Sequence, residues 1–154
     1  MKIIGKNPIT GLDYPDPDVI RVDDTYYMVS TTMHFVPGCE ILRSYDLVHW
    51  EHLSYVYERL DSTEEQRLVG EKNCYGKGMW AASLRYHKGM YYICFVANDT
   101  GKTYLYTADN IEGPWEKRII EGFYHDCSLL FEDDHVYICL LYTSPSPRDK
   151  RQYR

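Results

Sequence analysis

Two aspartates stand out by their settings. Asp16 lies in Tyr14-Pro15-Asp16-Pro17, where two prolines lock the backbone on either side of one carboxylate. The residue before each proline is biased toward extended geometry, and a strand-like run, Asp18-Val19-Ile20-Arg21-Val22, follows at once. Asp126 lies in His125-Asp126, directly ahead of the apolar run Cys127-Ser128-Leu129-Leu130-Phe131. A carboxylate on a stiff approach to a strand keeps its place, and two at one mouth can divide acid–base work. One takes a proton from water, while a neighbouring charge raises the pKa of an acid. Alone, the Pro-Asp-Pro segment is also an ordinary rigid turn. The surrounding elements decide between the two.

Those elements read as short strands. After the turn Asp23-Asp24-Thr25 comes the β-branched and aromatic run Tyr26-Tyr27-Met28-Val29-Ser30-Thr31-Thr32. Pro37-Gly38 breaks it, Cys39 to Ser44 reads as a third strand, and a short edge strand is expected around Val48-His49-Trp50-Glu51. The same order returns with Ser83 to Tyr86, Met90 to Val96, Thr103 to Thr107 and Gly113 to Lys117. Tyr27 and Tyr92 lie 65 residues apart, as do Trp50 and Trp115. A third copy begins at Cys127 and continues through His135-Val136-Tyr137-Ile138-Cys139-Leu140-Leu141. The long first interval holds an insertion between Tyr55 and Met79, with a helical turn expected where Ser62 and Glu65 form a capping-box pattern.

Repeated four-stranded units with a tryptophan in the outer strand predict an all-β fold, a β-propeller. A β-sandwich is the competitor, but it does not call for four-strand repetition. About two and a half blades fit into residues 1–142. The Pro/Ser/basic stretch 143–154 has no strand periodicity and reads as a linker or as sequence foreign to the fold. An edge strand near His135 to Tyr142 is expected to invite aggregation.

Composition narrows the partners. A net charge of −6 argues against a nucleic-acid or membrane-surface partner, and no apolar run approaches the ~20 residues of a membrane helix. The first residues lack a signal peptide's apolar stretch, which points to the cytoplasm and leaves a periplasmic or secreted location open. Cys39, Cys74, Cys94, Cys127 and Cys139 show no metal-type pairing and read as reduced, with Cys94 and Cys139 as small hydrophobes within strands. Sixteen tyrosines against four phenylalanines and three tryptophans suit half-buried strands and also sugar-stacking surfaces.

In a propeller, sites are built at the leading ends of the inner strands. The repeats bring Asp16, Trp80-Ala81-Ala82 and His125-Asp126 to equivalent positions there. Two carboxylates and an aromatic platform are the equipment of glycoside hydrolysis. His34 and His125 read as hydrogen-bonded structural residues, Arg85 and Asp18 as structural or solvated, and no metal site is assigned.

At this point a resemblance enters. Asn7-Pro8-Ile9, Tyr14 to Val19, Tyr26 to Thr31, Pro37-Gly38 and Ser44 to Trp50 resemble the opening of glycoside hydrolase family 43. Gly78 to Tyr86 and His125 to Phe131 fit its next two blades. The resemblance implies a five-bladed propeller and an inverting enzyme of the β-xylosidase or α-L-arabinofuranosidase type. It would hydrolyse pentose-containing plant polysaccharides or oligosaccharides. It implies that Asp16 is the general base and that Asp126 tunes and orients the acid. The acid itself would be a glutamate of a later blade, matched by none of Glu112, Glu116, Glu121 or Glu132. A chain without it is expected to be inactive. Trp80 and Phe35 are the expected sugar contacts. The resemblance implies no cofactor for this stretch and leaves room for a calcium ion in the central channel of the complete propeller.

Two departures stand out. Trp80-Ala81-Ala82-Ser83 replaces the Trp-Ala-Pro-Asp of many members, and Met33-His34-Phe35-Val36 replaces an aromatic and a glutamate. The alternatives are a non-catalytic sugar-binding propeller and a propeller enzyme of a related clan acting on fructose-containing sugars.

Overall fold

Two-residue turns organise the chain. Asp23, Lys88 and Asp133 each open such a turn in the left-handed region, with φ of 53°, 48° and 51°. That conformation matches the twist of paired strands and closes tight hairpins. In the computed structural model, which describes residues 5–139, these turns join β1 (Asp18–Val22) to β2 (Thr25–Val29), β5 (Ser83–His87) to β6 (Met90–Ala97), and β9 (Ser128–Glu132) to β10 (His135–Cys139). Longer loops add β3 (Gly38–Ser44) and β4 (Glu51–Tyr57) to the first hairpin. They add β7 (Lys102–Ala108) and β8 (Glu116–Ile120) to the second. Two four-stranded antiparallel sheets result, in the orders β1-β2-β3-β4 and β5-β6-β7-β8, with β9-β10 as a third pair. This is the meander of successive propeller blades, with β1, β5 and β9 as the inner strands.

The 65-residue period survives in the register. Asp18 pairs with Val29 in the first blade, and Ser83 pairs with Cys94 in the second. A bulge between Ile41 and Leu42 lengthens the outer pairing of the first blade.

Packing between blades follows from side-chain alternation along β6. Ile93 and Phe95 belong to the core shared with Val29 and Ile41 of the first blade. Cys94, between them, belongs to a smaller cluster with Cys127 and Leu129 of the third. Both faces of β6 are therefore covered, and Ile93, Cys94 and Phe95 are fully buried. Much of the tyrosine excess goes into this mortar. Phe95 stacks on Tyr106 at 5.8 Å and on Tyr104 at 5.7 Å. Tyr104 is wholly buried and donates its hydroxyl hydrogen bond within a cluster of Asp61 Oδ2 (2.9 Å) and Thr100 Oγ1 (2.7 Å). Burial pushes the Tyr91 phenol up to about 12.

Several expectations need correction. The outer strand of the first blade is Glu51–Tyr57, not a piece around Val48 to Glu51; Trp50 and Trp115 each precede their outer strand by one residue. Trp115 packs on the core, whereas Trp50 donates its indole N–H to Leu47 O in the preceding turn. The insertion forms turns but no helix. Its cap is Thr63, whose Oγ1 accepts from Gln66 N at 3.2 Å, because Ser62 is in the left-handed region (φ 51°). Cys139 is exposed rather than an interior hydrophobe, since β10 pairs only with β9 among the described residues. The expected boundary at 142/143, and Leu140 to Tyr142 of the edge strand, lie outside the described residues.

Candidate active site

Asp16, Ala81 and Asp126 each stand two residues ahead of an inner strand, β1, β5 and β9. The two aspartates share an unusual backbone, each with φ of 49°. An aspartate tolerates this region better than most residues, but it still carries a cost that its surroundings must offset. For Asp16 this corrects the extended geometry expected ahead of Pro17. The cause is a set of long-range contacts. Pro15 O accepts from Thr31 N (3.0 Å) and Ser30 Oγ (2.6 Å), and Asp16 Oδ2 accepts from Thr31 Oγ1 (3.0 Å). The end of β2 thus clamps the backbone before Asp16 and orients its carboxylate. One carboxylate oxygen is bonded to Thr31, and the side chain faces solvent.

The inner strands are tied together just beneath. Asp18, the first residue of β1, accepts from Leu84 N in β5 (2.9 Å). Ser83, the first residue of β5, stands in the same relation to Leu129 N in β9 (3.4 Å). Arg85 completes the tie: Nη1 reaches Asp18 Oδ2 (2.7 Å), Nη2 reaches Ser128 Oγ (2.6 Å), and Nε donates to Leu129 O (3.1 Å). One guanidinium therefore spans all three inner strands. The structural reading of Arg85 and Asp18 holds in this form.

A cleft of about 310 Å³ opens between the leading ends of these strands, lined by Asp16, Pro17 and Asp18, by Ala82 and Arg85, and by Cys127 and Ser128. Asp126 is next to Cys127 and directs Oδ2 to His125 Nδ1 (3.2 Å). Trp80 meets the His125 ring edge-on at 5.4 Å and 75°, which brings the indole to the Asp126 segment. Behind it, Cys94 and Cys127 place their sulfurs 3.4 Å apart. Among the described residues no three His, Cys, Asp or Glu side chains converge, so they do not by themselves fit a metal ion.

Phe35 lies in the β2–β3 loop, two-thirds exposed. It lines a neighbouring cleft of about 320 Å³ with Tyr14, Pro15, Thr31 and Glu40, so it shares with Asp16 the segment that positions the carboxylate. Burial, and then the Glu40 carboxylate, raise the phenol pKa values of Tyr14 and Tyr55 at this cleft. Glu40 itself meets His52 Nδ1 at 2.9 Å.

The sequence reading did not single out Thr31, Ser30 or Glu40. A signal for the first two was present: Ser30-Thr31-Thr32 is a run of hydroxyls closing a strand whose preceding residues are buried. Buried hydroxyls at a strand end need partners, and here the partners belong to the Asp16 segment.

Known proteins resemble this chain in sequence and in fold. The model of the family "Glycosyl hydrolases family 43" matches residues 5–152. A beta-xylosidase of Formosa agariphila is 39% identical over 114 residues, covering 74% of this chain and 19% of the relative. A non-reducing end alpha-L-arabinofuranosidase of Bacteroides ovatus is 37% identical over 138 residues, covering 86% and 25%. Among solved structures, a bifunctional GH43-CE protein of Bacteroides eggerthii is 46% identical with a TM-score of 0.84, covering 88% of this chain and 19% of that one. The chain thus spans about a fifth to a quarter of the length of the proteins it matches.

Proposed function

The chain belongs to glycosyl hydrolases family 43, and from that premise we propose that the complete protein hydrolyses O-glycosidic bonds in pentose-containing plant polysaccharides or oligosaccharides, as a β-xylosidase or α-L-arabinofuranosidase. The β-xylosidase and α-L-arabinofuranosidase among its relatives support that substrate class. The observation that carries the chemistry is the pair of aspartates with matching backbone, each two residues ahead of an inner strand of one propeller.

In this reading Asp16 is the general base. Thr31 holds one carboxylate oxygen, and the other takes a proton from the water that attacks the anomeric carbon. A carboxylic acid opposite gives its proton to the leaving oxygen, so the anomeric configuration inverts. That acid comes from outside the described residues. Glu112, Glu116 and Glu121 sit on or beside the exposed outer edge of the second blade, and Glu132 closes β9 away from its leading end. Asp126 is assigned the role of orienting the acid, a reading supported by its place two residues ahead of β9, equivalent to that of Asp16 ahead of β1. Trp80, which packs edge-on against His125, and Phe35, which lines the cleft holding Tyr14 and Pro15, are the sugar contacts of this reading.

The test is the initial product anomer, followed by proton NMR as the complete protein cleaves a nitrophenyl β-xyloside or α-L-arabinofuranoside. Inversion is expected, and retention would remove Asp16 from the base role. Asp16→Asn should lower kcat by about 10²–10⁴, and the 154-residue chain alone should show no turnover.

A further inference from the structure

Beyond Phe35, a line of rings leads away from the Asp16 cleft onto the insertion. The His34 ring lies 4.4 Å from Phe35, tilted 30°, and 4.7 Å from Tyr75, tilted 50°. Tyr75 is 80% exposed, and beside it Leu68 is 67% exposed. Exposed aromatic and apolar side chains in a row are uncommon on a surface without a binding role.

The row is built rather than loose. Met33 and Met79 exchange both backbone hydrogen bonds, at 3.0 and 3.1 Å, which joins the β2–β3 loop to the insertion. Gly78 permits this approach: its φ is 94°, and a Cβ there would collide with the Met33 carbonyl. His34 Nδ1 accepts from Gly76 N at 3.3 Å, and Asn73 Oδ1 accepts from Tyr75 N at 3.1 Å. Cys74 is buried beneath. The resulting cleft measures about 650 Å³, and among the described residues its lining holds no Asp, Glu, Lys or Arg. Phe35 lines both this cleft and the one that holds Tyr14 and Pro15, so the two adjoin at its ring.

We infer that the Phe35–His34–Tyr75 row is a platform for a neutral oligosaccharide chain, engaging sugar units beyond the bond cleaved at Asp16. This rests on the glycosidase reading above. Two features select the occupant. An uncharged lining suits an uncharged ligand, and ring faces pack against the C–H faces of sugar rings while leaving hydroxyls in water. A row of rings that starts at the cleft holding Tyr14 and Pro15, the neighbours of Asp16 in the chain, fits a chain of three or more sugars rather than a single one.

The experiment compares parent, Tyr75→Ala and Tyr75→Phe forms of the complete protein on xylotetraose and on a nitrophenyl xyloside. Tyr75→Ala should raise KM for xylotetraose about tenfold more than KM for the aryl xyloside, the scale of one lost aromatic contact. Tyr75→Phe, which keeps the ring, should restore the parent ratio. Equal shifts on both substrates, or none, would overturn the platform. So would a loss of thermal stability in Tyr75→Ala without a change in KM, which would show the row covered by another part of the protein. If the parent cleaves neither substrate, KM gives no reading, and the glycosidase reading fails by itself only if a nitrophenyl α-L-arabinofuranoside is also left intact. Calorimetric titration with xylotetraose then decides the platform: tighter binding by the parent than by Tyr75→Ala supports it, and equal or absent binding rejects it.

Discussion

The first and second blades share strand order, turn conformation and a 65-residue period, yet they bear different loads at the same point. Two residues ahead of the inner strand, the first blade has Asp16 in the left-handed region and the second has Ala81. At the third residue of the inner strand the first blade has Ile20, whereas the second has Arg85, which binds all three inner strands. One blade carries the carboxylate proposed as the base; its neighbour carries the tie between the three inner strands. A repeated fold offers the same position several times, and single residues decide which copy acts and which supports.

The largest expected effect comes from moving the carboxylate between blades. Asp16→Ala combined with Ala81→Asp should stay about 10²–10⁴ below the parent in kcat on a nitrophenyl glycoside, because Ala81 lacks the Thr31 contact and the left-handed backbone that fix Asp16. Recovery of rate would break the comparison by making the two positions interchangeable.

Next is the tie. Arg85→Met removes four side-chain hydrogen bonds, three of them to other strands, and leaves Asp18 without its charged partner, so a loss of about 2 kcal/mol is expected in urea unfolding. Asp18→Ser copies Ser83. It keeps an acceptor for Leu84 N and loses only the ion pair with Arg85, whose side chains are about one-third exposed, so about 1 kcal/mol is expected. The double variant should show coupling between them; simple additivity would mean that Arg85 does not act through Asp18.

The smallest effect is in the outer turns. Asp46 Oδ1 accepts from Val48 N and His49 N, both at 2.8 Å, and Oδ2 meets His49 Nδ1 at 2.7 Å. These bonds, the backbone N–H of His49 foremost, hold its pKa well below the usual carboxylate range. The corresponding turn of the second blade is held by neutral Asn110, whose Oδ1 accepts from Glu112 N at 3.0 Å. A depressed folded pKa gives stabilisation that is complete above about pH 4 and lost as pH falls through the folded value. Asp46→Asn should therefore flatten the acid limb of a stability–pH profile, and Asn110→Asp should add one. An unchanged profile in both would separate the turns from acid sensitivity.

The fold was largely legible because its determinants are local. Alternating apolar runs, two-residue turns and a tyrosine at the third residue of each second strand (Tyr27, Tyr92 and Tyr137) are written within a few residues of where they act. The boundaries that shifted, at Trp50 and in the insertion, lie where side-chain contacts rather than periodicity end an element. The candidate site was legible in its residues but not in its geometry. Asp16 was found from its prolines, yet those prolines argue for an extended backbone, and contacts with β2 fifteen residues later hold it left-handed.

What the sequence by itself determined is the repeating unit and the two aspartates at its inner ends. Only the tertiary structure decided that Arg85 links Asp18, 67 residues away, to Ser128, 43 residues away, and that the insertion bonds to the loop that carries Phe35. The physical reason is range. Strand period and turn conformation are set by neighbours along the chain, while the direction of a carboxylate or a guanidinium is set by whatever the folded blades bring within hydrogen-bond distance.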